Sequence, residues 1–240
     1  MRVRVLGIGM GPRQLTGEVV EALRACDYAV AARKGDDDGL LELRRAVCAA
    51  HGVPLVEVPD PERDRDAADY AASVAAWHEA RVAAYERVLG PRGGTAAFLV
   101  WGDPALYDST LRIVEAVAAR GVVPVEYDVL PGISAPQMLA ARHRIVLHGV
   151  GRPVHVTPAR RLEEAVAAGH RDIVVMLGGR HGFGDLADWS VWWGANLGTD
   201  GEELVAGRVG DVLPEIEEAR QRAREKDGWV MDTALLRRPG

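Results

Sequence analysis

MRVRVLGIGMGPRQLTG, residues 1–17, decides how the rest of the chain is read. Val3–Ile8 has the apolar character of a short buried strand. It runs into Gly7, Gly9 and Gly11, then Pro12, then Leu15-Thr16. A glycine-rich turn at a strand's end lets main chain approach a ligand where a Cβ would clash. The pattern is not a dinucleotide fingerprint. The third glycine comes one residue early, and the sixth position of G-x-G-x-x-G is Pro12, which has no N–H for a pyrophosphate. The acidic residue expected about 20 positions further on is missing too. The next strand ends in Ala31-Ala32-Arg33-Lys34.

Outward from this loop, strand and helix patterns alternate. Tyr28–Ala32 reads as a strand, Leu40–His51 as a helix closed by Gly52, and Leu55–Val58 as a strand ended by Pro59. Residues 66–89 have the spacing of a long Ala-rich helix stopped by Gly90-Pro91. Ala96–Trp101 is a strand, Leu106–Arg120 a helix ending at Gly121, and Val123–Val129 a strand before Pro131-Gly132. A βαβ series of this kind predicts a largely parallel sheet with helices on its faces. Gly149, Gly151 and Pro153 suggest a boundary, giving one α/β domain over 1–150 and a second over 151–240. In the second, Val154–Thr157, Ile173–Leu177, Trp189–Ala195, Leu204–Val209 and Trp229–Leu236 read as strands, with helices near 159–168 and 211–226. Short connections there predict a mixed sheet with antiparallel pairs.

Composition narrows the function. With 48% hydrophobic residues, 240 residues hold a substantial core. No apolar run approaches the roughly 18 residues of a membrane span, and the N-terminal run is too short for a signal peptide. Cys26 and Cys48 fit neither a metal spacing nor a disulfide framework; they read as buried small hydrophobes in a reducing, cytoplasmic setting. A net charge of −6 argues against a nucleic-acid binder. Of the 29 basic residues only Lys34 and Lys226 are lysine, leaving 27 arginines. Most reflect composition, but Arg142/Arg144 and Arg160/Arg161 are placed to hold carboxylates through bidentate geometry.

Three loops end predicted strands of the first half: Gly7–Thr16, then Trp101–Thr110 with Gly102-Asp103-Pro104, then Leu130–Ser134 with Pro131-Gly132. Ligands of open α/β sheets bind beyond the strands' carboxyl ends. Any one of these motifs is more often a plain turn; three on one edge point to a binding site.

These residues resemble the tetrapyrrole (precorrin/cobalt-factor) methylases. The markers are the G-x-G-x-G loop followed by Leu-Thr, the G-D-P loop and the P-G-[IV]-[ST] loop, in order. Longer matches are LVWGDPALYDSTLR (99–112), PGISAPQMLAARHRI (131–145), WWGANLGTDGEELVAGRV (192–209), GWVMDTALLRR (228–238) and PERDR (61–65). They resemble the branch that methylates C-1 of precorrin-5 and releases acetate in aerobic cobalamin formation. The resemblance covers nearly the whole chain.

It implies two α/β domains with S-adenosyl-L-methionine in the cleft between them, S-adenosyl-L-homocysteine as product, and a homodimer; no metal, nucleic-acid or membrane partner is expected. By the same resemblance Gly9, Gly11, Pro12, Gly102, Asp103, Ala105, Tyr107, Ser134 and Ala135 bind the cofactor, the main chain around Gly102-Asp103 and Ser134-Ala135 holding its methionine and ribose parts. Met176, Leu177, Ala195 and Leu197 flank the adenine. A sulfonium is already a strong methyl donor, so the protein mainly positions reactants. Deacylation adds a water attack and an oxyanion. Asp103, Tyr107, Asp108 and His143 are the candidates for that proton chemistry. Asp103 is equally suited to capping a helix that starts after Pro104, and His143 lies between Arg142 and Arg144, whose charge disfavours its protonation. A polycarboxylate macrocycle needs local positive charge, for which Arg112, Arg142, Arg144, Arg160 and Arg161 are candidates. Arg63 and Arg65 are read as pairing with Glu62, Asp64 and Asp66.

The chain departs from the family pattern at Pro158-Ala159, Gly178-Gly179, His148 and Ala234, all in the second half. The sequence also admits three other readings. A related methylase could act on another precorrin carbon, on a diphthamide precursor or on ribosomal RNA; the charge disfavours RNA. A non-catalytic module could keep the loops without the chemistry. An NAD enzyme is disfavoured by Pro12.

Overall fold

A computed structural model describes residues 1–33, 39–61, 70–178 and 183–240. Lys34, Arg63, Arg65 and Gly179 lie outside the described residues. The chain forms two compact units, Met1–Ile133 and Ser134–Gly240. The Gly149–Pro153 cluster falls within the second.

In the first unit β1 (Arg2–Gly7), β2 (Tyr28–Arg33), β3 (Leu55–Pro59), β4 (Thr95–Val100) and β5 (Glu126–Leu130) make one parallel sheet, ordered β3-β2-β4-β1-β5. Connecting helices α1 (Gly17–Arg24) and α2 (Gly39–His51) pack on one face, α3 (Tyr70–Arg92) and α4 (Thr110–Arg120) on the other. The central strand β4 shows why. Ala96, Phe98 and Val100 join the α3/α4 core, while Ala97 and Leu99 join the α1/α2 core, and all five are buried. A strand covered on both faces reads as a continuous apolar run rather than an alternation.

The second unit begins with α5 (Ala135–His143). Strands β6 (His155–Pro158), β7 (Asp172–Met176), β8 (Ser190–Ala195), β9 (Glu203–Arg208) and β10 (Asp232–Arg237) form a mixed sheet ordered β6-β7-β10-β8-β9. Of the pairings among these strands, β6–β7 is parallel and the other three are antiparallel. Helices α6 (Leu162–Ala167) and α7 (Val209–Asp227) connect its strands, and Trp193, Phe183 and Ile216 sit in its core. The α/β class and the mixed second sheet are as the sequence predicts.

Several boundaries differ. The helix expected from Leu106 starts at Thr110. Asp103 accepts the Ala105 N–H (2.8 Å), Asp108 accepts that of Thr110 (2.6 Å), and Tyr107 sits between them with φ +54°. Two local side-chain turns of this kind compete successfully with helix. The long helix runs through Gly90-Pro91 to Arg92. A proline in the last turn removes one bond only, and the Gly93 N–H still closes on the Leu89 carbonyl (3.0 Å). Helix α5 is not anticipated from sequence. Among the described residues no helix is long and apolar enough to cross a membrane.

Candidate active site

The three punctuated loops meet at the carboxyl ends of β1, β4 and β5. Beyond β1, the Ile8 N–H donates to the Val100 carbonyl (2.9 Å). Gly9 and Gly102 then exchange main-chain bonds, Gly102 N–H to the Gly9 carbonyl at 2.8 Å and Gly9 N–H to the Gly102 carbonyl at 3.2 Å. Both residues have left-handed backbone, φ +66° and +75°. A Cβ at Gly9 would lie 2.8 Å from the Gln14 Cβ, so glycine is required twice over there. Loops one and two are thus zipped together past the sheet.

Loop three is fastened by Asp103 and by contact. The Asp103 carboxylate accepts the Ala105 N–H through Oδ1 (2.8 Å) and the Gly132 N–H through Oδ2 (3.0 Å). Both oxygens are therefore engaged with main chain, and the residue ties loop two to loop three. At Gly132 an added Cβ would meet the Gly102 carbonyl oxygen at 2.2 Å, and at Gly7 one would meet the Gly132 nitrogen at 2.4 Å. Gly11 is buried and extended, followed by a 3-10 turn at Pro12–Gln14. Helix α1 starts only at Gly17, capped by Thr16, whose Oγ1 accepts the Val19 N–H (3.2 Å). The glycine loop does not run straight into a helix N-terminus, as a dinucleotide pyrophosphate site requires.

Tyr107 is 42% exposed, and Ser109 Oγ accepts from Arg81 Nη1 of α3 (3.2 Å). Arg112 lies on α4 near its start.

In the second unit Ser134 precedes α5. Its N–H and Oγ–H both donate to Gln137 Oε1 (2.9 and 2.8 Å), and Ala135 is the first helical residue. Arg142 is held by Glu202, Nε lying 2.8 and 2.9 Å from the two carboxylate oxygens. Glu202 Oε2 also accepts the Gly198 N–H (2.7 Å). His143 Nε2 is 2.9 Å from the Trp193 carbonyl oxygen. That contact makes Nε2 the protonated nitrogen and leaves the Nδ1 lone pair for other work. Arg144 ends α5 with φ +56° and is exposed. Arg160 and Arg161 follow β6, with Arg161 donating to Glu164 (2.7 Å). Met176 closes β7, and Leu177 beside it is 55% exposed with φ +53°.

Ala195 and Leu197 are fully buried, so their side chains belong to the core and their main chain is what a ligand would meet. Between them sits Asn196, with left-handed φ of +47° and 1% exposure. Its Nδ2 donates to Asp227 Oδ2 and to the Trp229 carbonyl (both 2.9 Å), and its Oδ1 accepts the Met231 N–H (2.9 Å). Thr199 Oγ1 donates to the same Asp227 oxygen (2.7 Å). The sequence reading selects the flanking residues and misses this Asn. The available signal is an Asn before Leu-Gly at a strand end, where a non-glycine left-handed residue is most often Asn.

The chain is similar to known proteins over nearly its whole length. The tetrapyrrole (corrin/porphyrin) methylase family matches residues 2–213. A precorrin-6A synthase [deacetylating] from Sinorhizobium sp is 43% identical over 248 aligned positions, covering 99% of this chain and 95% of that protein. The crystal structure of a cobalamin synthesis related protein (CobF) from Corynebacterium diphtheriae superposes with a TM-score of 0.84 at 37% identity, covering 99% and 98% of the two chains. Uroporphyrin-III-C-methyltransferase from Thermus thermophilus shares the fold at 19% identity, with a TM-score of 0.64 over 98% and 91% of the chains.

Proposed function

The chain belongs to the tetrapyrrole (corrin/porphyrin) methylases, and we propose that it methylates C-1 of precorrin-5 with release of acetate, giving precorrin-6A in aerobic cobalamin biosynthesis. The observation that carries this reading is the 43% identity, over 99% of the chain, to a precorrin-6A synthase [deacetylating]. S-adenosylmethionine, when bound, supplies the electrophilic methyl group.

The donor set suits that molecule. Gly9, Gly11, Pro12, Gly102, Ala105 and Ala135 present main chain past small or absent side chains, which is how a compact amino-acid and ribose part is recognised. Asp103 brings one negative charge to the loops, of the sign a sulfonium requires, and its role is to position them. Tyr107 and Ser134 add hydroxyl groups. Met176, Leu177 and the main chain of Ala195 and Leu197 supply apolar surface for a base.

Water adds to the acetyl carbonyl and the bond from that carbon to C-1 breaks. Acetate carries away the water oxygen, and the bonding electron pair passes to the ring, whose carbon takes the methyl. The water gives up two protons, one as it attacks and one as the acid product ionises to acetate, and a group must accept the first. Tyr107 and His143 are the candidates, and His143 has the better-defined nitrogen, since its Nε2 is committed to the Trp193 carbonyl. Asp103 is not assigned this step, because both its oxygens already accept main-chain N–H groups. Arg112, Arg144 and Arg160 are assigned to substrate carboxylates. Arg142 and Arg161 already carry Glu202 and Glu164. The same reading makes the protein a cytoplasmic homodimer.

Incubation with enzymatically prepared precorrin-5 and methyl-labelled S-adenosylmethionine tests the proposal, with both products followed by mass spectrometry. One labelled methyl added per acetate released is expected. Donor binding with neither product would overturn the acceptor assignment.

A further inference from the structure

The first unit contains a cavity of about 200 Å³ whose lining includes Asp108, Ser109 and Thr110 at the end of the second loop. It lies over the carboxyl-end halves of β2 and β4 and is lined by Val30, Arg44, Trp77, Arg81, Tyr85 and Ser109 among others. Two arginines reach it from helices on opposite faces of the sheet. Arg44 of α2 donates Nε to the Leu99 carbonyl (2.9 Å) and Nη1 to the Leu40 carbonyl (3.2 Å). Arg81 of α3 is 7% exposed, with Nε 2.8 Å from Asp60 Oδ1 and Nη1 donating to Ser109 Oγ (3.2 Å). Its guanidinium carbon stands 4.7 Å from the Trp77 ring centre. Tyr85 shares the lining, and its pKa is raised by burial first, with the charges of Arg81 and Arg44 opposing the shift and that of Asp60 adding to it. Asp108 also lines the cavity, and its Oδ1 is turned to the Thr110 N–H (2.6 Å).

Size and chemistry together select the occupant. The cavity is below the roughly 300 Å³ at which whole-ligand pockets begin, so it takes a substituent or a small acid, not a macrocycle. Guanidinium groups match a planar carboxylate through paired charge-assisted hydrogen bonds. The walls of Val30, Phe98, Tyr85 and Trp77 suit one or two methylene groups. We propose that this cavity binds a small aliphatic carboxylate held by Arg44 and Arg81. The source is either an acetate or propionate arm of the polycarboxylate substrate or the acetate released from it, and in that respect the inference rests on the proposed deacetylating methylation.

Binding is tested on the free enzyme, without donor or macrocycle, so that a failure here is separable from a failure of methyl transfer. Carbon-13-labelled acetate and propionate are titrated and followed by saturation-transfer NMR, with uncharged propionamide as the shape control. Arg44→Met removes one fork. Ala32→Leu adds bulk to the lining and leaves both arginines in the sequence. Circular dichroism checks that both variants are folded. Saturable carboxylate binding is expected, weakened roughly tenfold or more for propionamide and for Arg44→Met, as for a lost hydrogen bond to a charged group. Ala32→Leu is expected to abolish it, and it decides the matter alone should Arg44→Met not fold. Absence of saturable binding, equal binding of propionamide, or carboxylate binding unchanged in Ala32→Leu overturns the proposal. Turnover then separates the sources. A substrate arm predicts a raised KM with unchanged kcat in Arg44→Met. Released acetate predicts unchanged KM and loss of product inhibition by acetate.

Discussion

Replacing Gly132 by alanine tests whether main chain alone fastens the three loops to one another. The new Cβ would lie 2.2 Å from the Gly102 carbonyl oxygen and 2.7 Å from both the carbonyl carbon and oxygen of Gly7. A Cβ essentially never sits within 3.0 Å of another heavy atom, so loop three must retreat by roughly 1 Å. All three obstacles are main-chain atoms fixed by β1 and the Gly9–Gly102 bridge, with no flexible side chain to turn aside. Overpacking typically costs 1–3 kcal/mol. A wholly main-chain clash belongs at the upper end, so we expect about 3 kcal/mol, which lowers Tm by about 10 °C for a chain of this size. The retreat also stretches the Gly132 N–H bond to Asp103, loosening the loop that would hold the methyl donor. Gly17→Ala is the control. Nothing lies within 4 Å of its added Cβ, and its backbone is ordinary first-turn helix. It should be neutral or stabilising by up to about 1 kcal/mol. Thermal melts by calorimetry and S-adenosylhomocysteine titrations report the two effects. A Gly132→Ala protein melting within about 2 °C of wild type, with unchanged affinity, would show that the loops do not press on one another in this way.

Three further outcomes are expected. Asp103→Ala leaves the Ala105 and Gly132 N–H groups without their acceptor and should cost about 2 kcal/mol in chemical denaturation, with weaker donor binding; unchanged stability and affinity would remove its positioning role. Asn196→Gly and Asn196→Ala both lose the bonds to Asp227, Trp229 and Met231, but only alanine adds the penalty of left-handed backbone, so it should be the less stable by about 1 kcal/mol. His155 stacks on His170 with ring centres 4.0 Å apart, and its pKa lies below 6.5 through burial first, then the charges of His170 and Arg161. The unfolded chain therefore takes up this proton more readily than the folded one, and stability falls as pH drops through 6.5 toward the lower folded value. His155→Phe keeps the stack and loses the proton, so its stability should change less between about pH 7 and pH 5; an equal slope would place the dependence elsewhere.

Whether a feature is legible in the sequence depends on how it is encoded. The parallel sheet is legible because the central strand β4 is buried on both faces, and such a strand must be an unbroken apolar run. The three loops are legible because close main-chain approach and left-handed turns demand glycine, leaving Gly7, Gly9, Gly102 and Gly132 as visible punctuation. Start positions are less legible where a side chain redirects the main chain. Asp103 and Asp108 delay α4 by four residues relative to the expected Leu106, and no periodicity reports that. Helix α5 is nine residues long, and its Ser134–Gln137 cap sits inside a motif that reads first as a loop. Arg44 and Arg81 are invisible as a pair. They lie on different helices, and what joins them is the order β3-β2-β4, which only the fold provides.

Asp103 illustrates a division of labour that these contacts impose. Its loop carries the family's plainest signature, yet its carboxylate is consumed by two main-chain N–H groups, as the glycines around it are consumed by one another. Nothing in that fastening depends on which carbon of an acceptor is to be methylated. The uroporphyrin-III-C-methyltransferase fold agrees with this one at only 19% identity, as expected if the architecture rests on few residues. The choice of acceptor must then be made by side chains that the loops and helices carry outward. Under the proposal that the cavity takes a substrate arm, the two arginines over β2 and β4 are of that kind. Substitutions in the fastening should therefore move stability and donor binding together, whereas substitutions at Arg44 should move carboxylate recognition and leave the affinity for S-adenosylhomocysteine as it is. Measuring both affinities on Gly132→Ala and Arg44→Met separates the two layers; a variant of either kind that shifts both equally would show that they are one.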